Sequence, residues 1–380
     1  MNKQYLYASA IYGTAVPSEQ QAVNRVFDSP YLSGGEETIK FEEELAKWWG
    51  VEYAISTNSG SSANFIALQS LDLPKGSEVI TPAGGAFPTT ISPIIYHGLK
   101  PVFVDINLDT LCINIFELLN NLAFGDAIIF AHTLGNMPEM EKVMFHAKYF
   151  GLRVIEDCAD AMGSKQNGRK AGTFGDLATV SFYPAHHMTT GGEGGAILTN
   201  NEQLAMKCRS IRDWGRACHC RVGYPAPACG NRFSNPPFDH RYYYTNLGMN
   251  LKLTEMQAAF GRVQLKQVDS WIELRRRNYN ILARRLGMKE CGELSPFAFS
   301  ILSKKKTKVV EHLTKHNIHT RAIFSGNILE HPAYKNINCR IIGDLTNSKR
   351  VFNEGFFVGC HPGLSINDMN FIADKLKEVL

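Results

Sequence analysis

The sequence predicts an α/β fold, with a mostly parallel central sheet in a large domain and a smaller α+β domain at the C-terminus. Short, continuously apolar runs alternate with segments of helical periodicity, a pattern typical of strands covered by helices on both faces. In the first half these runs span residues 53–57, 78–82, 100–105, 126–132 and 153–157. A chain of 380 residues is long enough for two domains. We place the large domain at 1–250 and the linking helix with the small domain at 251–380.

The chain begins with an amphipathic helix over residues 36–49, where apolar residues recur at helical spacing among acids and lysines. The strand at 53–57 then meets a run of glycine and serine, and a helix follows from Phe65. Free amides at a helix start, together with serine hydroxyls, can bind an anion. Gly60, Ser61 and Ser62 are therefore candidates for an anion cup. An ordinary N-capped helix is the alternative, because serine is a good capping residue.

Several chemically useful residues follow or end the predicted strands. In mostly parallel sheets, ligands bind beyond the carboxyl ends of the strands. We therefore expect one site at that edge of the sheet. Its candidate members are Gly60, Ser61, Ser62, Phe87, His132, Asp157 and His186.

The stretch 181–195 is the most distinctive of these. A strand pattern runs into His186 and His187, and glycines then flank Glu193. Glycines allow positive φ and close approach of the backbone to a ligand, which is typical of a site. A hairpin loop with two surface histidines is the alternative.

The second half contains one long predicted helix. It runs over about 254–286 and follows an irregular, proline-rich stretch at 217–244. We expect Arg275, Arg276 and Arg277, which lie within it, to form a solvated face. A strand at 296–302 and helices at 309–315 and 367–380 complete the small domain.

Composition excludes several classes of protein. A net charge of +4 is too mild to indicate nucleic-acid binding, although it suits a small anionic substrate. No apolar run reaches the ~20 residues of a membrane helix, and the N-terminus has no signal-peptide pattern. We therefore expect a cytoplasmic protein. In that compartment the nine cysteines are not a disulfide framework.

Five motifs together resemble the DegT/DnrJ/EryC1/StrS sugar aminotransferase family. They are Ser-Gly-Ser-Ser-Ala-Asn at 59–64, Glu-Asp-Cys-Ala-Asp-Ala at 156–161, Gly-Thr-Phe-Gly-Asp at 172–176, Gly-Glu-Gly-Gly at 192–195 and Leu-Gly-Met-Asn at 247–250. The resemblance covers nearly the whole chain from Tyr31. It implies the aspartate-aminotransferase fold, known as fold type I, and a pyridoxal phosphate cofactor.

One departure from the family pattern changes the expected chemistry. The family's aminotransferases carry a lysine, which forms a Schiff base with the cofactor, at the position that is His186 here. Imidazole cannot form a stable imine as a primary amine does, so the resemblance implies the free amine form, pyridoxamine phosphate. Histidine remains a competent base near neutral pH. This change resembles the 3-dehydratase subgroup that acts on nucleotide-linked deoxysugars, and above all its iron–sulfur member, the CDP-4-keto-6-deoxyglucose 3-dehydrase.

The resemblance also implies roles for the other candidates. Gly60, Ser61, Ser62 and Ser181 would hold the cofactor phosphate, and Asn250 would reach it across a homodimer interface. Phe87 would stack on the pyridine ring, Asp157 would pair with the ring nitrogen, and Asp160 would lie near the ring hydroxyl. Arg321 would face the substrate. His186 would be the base, whereas we expect His187 to point away from the pocket.

Three cysteines in the irregular stretch resemble the ligands of a [2Fe-2S] cluster. These are Cys218, Cys220 and Cys229, and soft thiolates suit iron. In the dehydrase the remaining ligand is the cysteine at the position that is Ala159 here. Cys158 is its neighbour, but adjacent strand residues face opposite ways. Cys208, His219 or a water are the other options for the fourth ligand, and the cluster can also be absent.

The resemblance implies C3 deoxygenation of a nucleotide-linked 4-keto-6-deoxyhexose, as used in deoxysugar biosynthesis for lipopolysaccharide O-antigen. Electrons would come from an NAD(P)H-dependent flavin or iron–sulfur reductase through the cluster. One alternative is a cluster-free dehydratase regenerated by transamination with glutamate. A catalytically inactive, cofactor-binding relative is the other. No nucleic acid or membrane is expected as a partner.

Overall fold

The computed structural model describes residues 3–8, 16–120, 125–218, 220, 233, 235 and 237–380. Its centre is an eight-stranded sheet with spatial order β1-β9-β8-β5-β4-β2-β3-β12. The strands are β1 Tyr53–Thr57, β2 Glu78–Pro82, β3 Lys100–Val104, β4 Ala127–Ala131, β5 Arg153–Asp157, β8 Leu177–Ser181, β9 Gly195–Thr199 and β12 Arg340–Ile341. Only β9 runs against the others, because it pairs antiparallel with both β1 and β8. The predicted mostly parallel α/β sheet is confirmed.

Helices cover both faces of this sheet. In the large domain they are α1 Val16–Val26, α2 Glu36–Trp49, α3 Gly60–Gln69, α4 Pro88–Tyr96, α5 Ile115–Asn120, α6 Met140–Phe150 and α7 Glu202–Arg212. One apolar core contains Phe41, Phe130 and Val154, and a second contains Ile66 and Ile155. Val154 and Ile155 are neighbours on β5 and enter different cores, as strand alternation requires. Burial on both faces explains the continuously apolar strand sequences.

The predicted long helix is two helices, α8 Glu255–Leu265 and α9 Val268–Leu286. α8 begins with a capping box, in which Thr254 and Gln257 satisfy each other's backbone amides. α9 ends at Gly287, which has a left-handed conformation with φ of 66°. Residues Lys266 and Gln267 separate the two helices.

The C-terminal part has its own core around a three-stranded antiparallel sheet, β10-β13-β11. Its elements are β10 Ala298–Leu302, α10 Lys306–Lys315, β11 Thr320–Ala322, α11 Thr346–Glu354, β13 Gly355–Gly359 and α12 Ile366–Lys377. β12, which follows the division at residue 250, pairs with β3 of the main sheet. The two short strands β6 Lys165–Gln166 and β7 Arg169–Lys170 form a separate hairpin.

The parallel strands point their carboxyl ends at one edge of the main sheet. β1 leads to Ser59 and Gly60, β4 to His132, β5 ends at Asp157 and β8 ends at Ser181. Loops from the C-terminal part cover this edge, since Ile328 donates its backbone amide to the carbonyl of Ala83 at 2.9 Å. The described part of the chain contains no helix long and apolar enough to cross a membrane.

Candidate active site

A cavity of about 750 Å³ lies at the carboxyl edge of the sheet, between the two parts of the chain. The predicted residues that line it are Gly60, Ser61, Phe87, Asp157, Asp160, Ser181, His186 and Arg321. Ser62, Asn250 and His132 do not belong to its lining. The convergence expected from the strand ends therefore exists, but for a smaller set of residues.

The start of α3 combines the two alternatives drawn from the sequence. Ser59 is the N-cap, and its hydroxyl accepts the backbone N–H of Ser62 at 3.1 Å. The hydroxyl of Ser62 donates to Asn58 at 2.6 Å, which explains why Ser62 is absent from the cavity wall. Gly60 and Ser61 remain at the wall. The helix is thus both capped and open towards the cavity, where amides and hydroxyls favour an anion.

Two positions in this region must be glycine, because neighbouring strands and loops approach them too closely for a side chain. A Cβ atom on Gly60 would lie 2.6 Å from Cβ of Ser181. A Cβ atom on Gly195 would lie 2.5 Å from the carbonyl of Ser59. These separations are far below van der Waals contact, so only glycine lets β1, β8 and β9 bring Ser59, Gly60 and Ser181 together.

Asp157 ends β5 and is 5% exposed. Its Oδ2 accepts hydrogen bonds from Asn64 at 2.9 Å and from the hydroxyl of Thr90 at 2.7 Å. Asn64 in turn accepts the hydroxyl of Thr179 at 2.6 Å. Donors from α3 and α4 therefore fix the carboxylate at the cavity wall, and Thr179 of β8 fixes Asn64 in turn.

His186 lies in the turn after β8, with its side chain 16% exposed at the cavity. Its Nδ1 is 3.3 Å from Oδ1 of Asp160. The other carboxylate oxygen of Asp160 accepts the backbone N–H of Leu134 at 3.2 Å. Leu134 has a left-handed conformation with φ of 54°, which is uncommon for a branched side chain. A strained backbone thus supports the carboxylate beside the histidine.

His187 has a different environment from its neighbour. It is 1% exposed, and its Nε2 lies 3.2 Å from the carbonyl oxygen of Ser295. Burial, followed by the nearby charges of Arg275 and His186, holds the pKa of His187 well below its usual range. It does not line the cavity, so the two histidines are not interchangeable.

The expectation that Arg275 is solvated is wrong. Its side chain is 1% exposed, and it donates to the carbonyl of Phe297 at 2.9 Å and to that of His186 at 3.0 Å. Helical spacing explains this, because α9 buries Trp271, Ile272, Arg275, Asn278 and Leu282 on one face. That apolar periodicity was readable in the sequence and would have indicated a buried arginine.

His132 and Glu156 form a buried pair behind the cavity wall. Nε2 of His132 lies 2.8 Å from Oε2 of Glu156, and both are fully buried. Burial opposes the charge of Glu156, but His132 and the amides of Gly172, Phe174 and Gly175 overcome it, so the pKa of Glu156 is lowered. The Glu-Asp motif and the Gly-Thr-Phe-Gly motif are therefore parts of one hydrogen-bonded support.

Aromatic residues from both parts of the chain surround the mouth of the cavity. Phe87, at the N-cap of α4, is 56% exposed and lies against Phe324, with ring centroids 6.1 Å apart. The guanidinium of Arg321 lies 4.3 Å from the ring centroid of Tyr7. These surfaces could stack on a planar ring, and Arg321 adds a positive charge beside them.

Asn250 lies away from the cavity of its own chain. It is exposed, pairs with Asp213 in an isolated bridge and accepts a hydrogen bond from Lys252 at 2.6 Å. The expected role across a dimer interface stays a prediction.

The structure does not bring Cys158 together with Cys218 and Cys220. Cys158 is fully buried in the core that also contains Phe41 and Trp49. Burial, and then the carboxylates of Glu156 and Asp157, raise the pKa of its thiol. This is the strand alternation anticipated above: Asp157 faces the cavity, whereas Cys158 faces the core.

The structure describes one of the other proposed cluster ligands, Cys208, but not Cys229 or His219. Cys208 is fully buried in the second core, where burial raises the pKa of its thiol to about 11. Cys229 and His219 lie outside the described residues. Among those described, the ligand atoms of Cys218, Cys220 and His240 lie within 4.8 Å of one another. His240 was not a candidate from the sequence, because it is twenty residues from Cys220 and belongs to no motif.

The architecture and the cavity define the class of the protein. A mostly parallel sheet with a small second domain, a buried aspartate at a strand end and a capped anion cup are the features of fold type I, the aspartate-aminotransferase fold. The chain belongs to the DegT/DnrJ/EryC1/StrS aminotransferase family, whose model matches residues 14–377.

Curated relatives agree with this assignment. The chain is 40% identical to the lipopolysaccharide biosynthesis protein RfbH of Salmonella typhimurium, over 92% of this chain and 86% of the relative. It is also 40% identical to the dTDP-4-dehydro-2,6-dideoxy-D-glucose 3-dehydratase of Saccharopolyspora spinosa, over 91% and 81% of the two chains.

Solved structures show the same fold. The Escherichia coli GDP-4-keto-6-deoxy-D-mannose-3-dehydratase with bound hydrated PLP has a TM-score of 0.89 at 28% identity, covering 99% of this chain and 100% of the other.

Proposed function

We propose that this protein is a pyridoxamine-phosphate-dependent 3-dehydratase that removes the C3 hydroxyl of a nucleotide-linked 4-keto-6-deoxyhexose. One observation carries the proposal: the cavity of this aminotransferase fold contains His186 beside Asp160, and no lysine lines it in the part of the chain that the structure describes. A transaminase of this fold needs a lysine amine at that place. A histidine retains only proton transfer.

The residues of the cavity fit the cofactor. A side chain at position 60 would collide with Ser181, so Gly60 leaves the backbone open to a phosphate beside two serine hydroxyls. Asp157, held by Asn64 and Thr90, offers a carboxyl group to a pyridinium nitrogen. When bound, pyridoxamine phosphate supplies the amine that condenses with the C4 ketone and the protonated ring that accepts an electron pair.

His186 is the proposed base that removes the proton at the C4′ carbon of the cofactor. The carboxylate of Asp160 beside Nδ1 favours the tautomer with hydrogen on that nitrogen, which leaves a lone pair on Nε2. Arg275 holds the backbone of His186 through its carbonyl. Departure of the C3 hydroxyl with one proton gives water, and two electrons and two protons then complete the deoxygenation.

The source of the two electrons separates two versions of the proposal. In the first, NAD(P)H delivers them through a reductase and a [2Fe-2S] cluster. Cys218 and Cys220 support this version, because their thiols lie close together and thiolates suit iron. A role in O-antigen assembly is supported by the 40% identity to a lipopolysaccharide biosynthesis protein.

In the second version there is no cluster, and glutamate restores the cofactor while 2-oxoglutarate and ammonia are released. Cys158 is separated from Cys218 and Cys220, so one expected ligand of the cluster is missing. This separation favours the cluster-free version. One of the similar solved structures is a GDP-4-keto-6-deoxymannose-3-dehydratase with a trapped PLP-glutamate geminal diamine, 28% identical to this chain.

One experiment tests both versions. The protein is prepared without oxygen, loaded with pyridoxamine phosphate and offered CDP-, GDP- and dTDP-linked 4-keto-6-deoxyhexoses. NAD(P)H with a reductase is supplied in one arm and glutamate in the other, and a 3-deoxy product is sought by mass spectrometry. Product that needs iron and reductase supports the first version, and product from iron-free protein with glutamate supports the second. A C4-amino product, or none with any sugar, contradicts the proposal.

A further inference from the structure

Cys218, Cys220 and His240 place their ligand atoms within 4.8 Å of one another. We propose that His240 is a ligand of the metal centre that Cys218 and Cys220 bind. The identity of that centre as an iron–sulfur cluster rests on the proposed function, whereas the assignment of His240 as a ligand rests on this geometry alone.

Backbone contacts hold the two segments of the site side by side. Arg216 and Tyr244 form an antiparallel bridge, and the amide of Ala217 donates to the carbonyl of Tyr243 at 2.9 Å. Cys218 follows this short ladder directly, and His240 precedes it on the opposite segment. The closeness of the thiol and the imidazole thus follows from a defined pairing of the chain.

A short turn fixes the histidine itself. Residues His240–Tyr242 form a single 3₁₀ turn capped by Asp239, whose side chain accepts the amide of Arg241 at 3.2 Å. His240 is 8% exposed. The carboxylate of Asp239 lies 3.9 Å from its Nδ1. That separation is longer than a hydrogen bond, so the turn, and not this carboxylate contact, places the histidine.

The two cysteines show a contact suited to thiolate ligands. The backbone N–H of Cys220 donates to Sγ of Cys218 at 3.2 Å. This contact holds the backbone of Cys220 against the sulfur of Cys218. Two thiolates with one imidazole form a soft to intermediate ligand set, which suits iron or zinc and not calcium or magnesium.

The spacing of the atoms also fits a tetrahedral metal. Ligands bound at about 2.3 Å in a tetrahedron lie roughly 3.7 Å apart. Atoms that are already within 4.8 Å need only small side-chain adjustments to reach that geometry.

His240 is the proposed replacement for the cysteine ligand that is absent at Ala159. A [2Fe-2S] cluster takes four protein ligands. Of the cysteines that the resemblance implies as ligands, Cys218 and Cys220 lie beside His240, whereas Cys158 is enclosed in the core. With His240 the described residues supply two thiolates and one imidazole. A neutral imidazole in place of a thiolate raises the reduction potential of such a cluster.

The test uses the full chain, reconstituted without oxygen with ferrous iron and sulfide. Wild type is compared with His240→Ala and His240→Cys, and with Tyr242→Phe, a change at an exposed residue of the same turn. Iron and sulfide are counted per chain, and the reduced proteins are examined by electron paramagnetic resonance for hyperfine coupling to a nitrogen ligand.

We expect strong nitrogen coupling in wild type and in Tyr242→Phe. His240→Ala should lose most of its iron, whereas His240→Cys should retain iron, lose the coupling and have a lower reduction potential. Iron-replete wild type without nitrogen coupling would overturn the proposal, as would a His240→Ala protein with unchanged iron content and spectrum.

Zinc is the second probe, and it is used if the protein takes up no iron. Zinc alone is titrated into the reduced apoproteins, and loss of a ligand should weaken its binding by at least about tenfold in His240→Ala. Equal zinc affinities, or no zinc binding by wild type, would contradict the assignment. Dehydratase activity is measured separately, so its absence in an iron-replete protein would count against the proposed function and not against His240.

Discussion

The imidazole of His186 and the carboxylate of Asp160 face each other, with 3.3 Å between Nδ1 and Oδ1. Asp160 is anchored by the amide of Leu134, and the carbonyl of His186 is anchored by Arg275. The ring and the backbone of the proposed base are therefore held from two independent directions. Such restraint is what a base needs in order to reach one carbon atom repeatedly.

Replacing Asp160 by Asn should lower the rate of proton exchange at C4′ of bound pyridoxamine phosphate by about 10–100-fold. The amide occupies the same volume but does not offer the carboxylate oxygen that faces Nδ1 of His186 at 3.3 Å. Cofactor affinity should change much less. Exchange is measured by NMR in deuterated water, and affinity by absorbance titration. An unchanged exchange rate would show that the carboxylate does not assist His186.

Replacing His186 by Asn should remove the base itself and lower the same exchange by about 10²–10⁴-fold. Affinity for pyridoxamine phosphate should remain, because Asp157 and the anion cup are unaffected. The His187→Asn variant is the control, since His187 lies outside the cavity lining and contacts the carbonyl of Ser295. Retained exchange in His186→Asn would end the assignment of this residue.

The convergence of the site could be predicted because it depends on local rules. Apolar strands alternating with helices force a parallel sheet, and parallel strands end at one edge. Phe87, Asp157 and His186, which the strand pattern predicts at this edge, therefore line the cavity. The same alternation gave the right warning about Cys158, whose neighbour Asp157 faces the cavity.

Other parts of the site depend on contacts between distant segments. Thr90 reaches Asp157 across 67 residues of sequence, and no motif connects them. His240 meets Cys218 only through the pairing of 216–217 with 243–244. The hydroxyl of Ser62 donates to Asn58, and its role at the cofactor phosphate, implied by the resemblance, stays a prediction. Patterns in the sequence show which residue types are present, whereas these partners are decided by tertiary structure.

Replacing Thr90 by Val should weaken binding of pyridoxamine phosphate by about 10-fold or more. The change removes a 2.7 Å hydrogen bond to the buried carboxylate of Asp157, and a hydrogen bond to a charged group contributes about 1.5–3 kcal/mol. The matched control is Ser92→Ala on the same helix, whose hydroxyl bonds to Pro88 and Tyr334 instead. Equal affinities of the two variants would contradict a role for Thr90 in holding Asp157.

Replacing Arg275 by Met should lower the free energy of unfolding by about 2–4 kcal/mol, because it leaves the carbonyls of His186 and Phe297 without their buried donor. The exchange rate at C4′ should also fall in the folded protein. Arg276→Met is the control, since Arg276 is on the same helix and also donates to two backbone carbonyls, those of Leu294 and Glu293, but is only partly buried. Unfolding is followed by circular dichroism in urea. A loss in Arg276→Met as large as in Arg275→Met would show that burial is not the cause.

Acid should destabilise the fold through His361, a buried residue of the C-terminal part. Burial, and then the charge of Arg275, lower the pKa of His361 from 6.5 to about 4, although Asp368 and the backbone of Leu6 oppose the shift. Its Nδ1 accepts the amide of Gly363 at 3.2 Å, a bond that protonation would break. Between these two pKa values the unfolded chain binds the extra proton and the folded chain does not. Stability is therefore retained above the unfolded value and lost as pH falls towards the folded value.

The loss attributable to His361 should be on the order of 3 kcal/mol once the pH lies below both values, at about 1.36 kcal/mol per unit. His187, whose pKa is also lowered by burial, should add to it in the same direction. The free energy of unfolding is measured in urea between about pH 7 and pH 5, and its slope against pH gives the number of protons taken up on unfolding. His361→Gln cannot take up the proton. Its free energy of unfolding should therefore fall less steeply with decreasing pH, by up to about 1.36 kcal/mol per pH unit. His319→Gln, at a partly exposed position, is the comparison variant. Identical slopes in wild type and His361→Gln would show that His361 is not the acid-sensitive group.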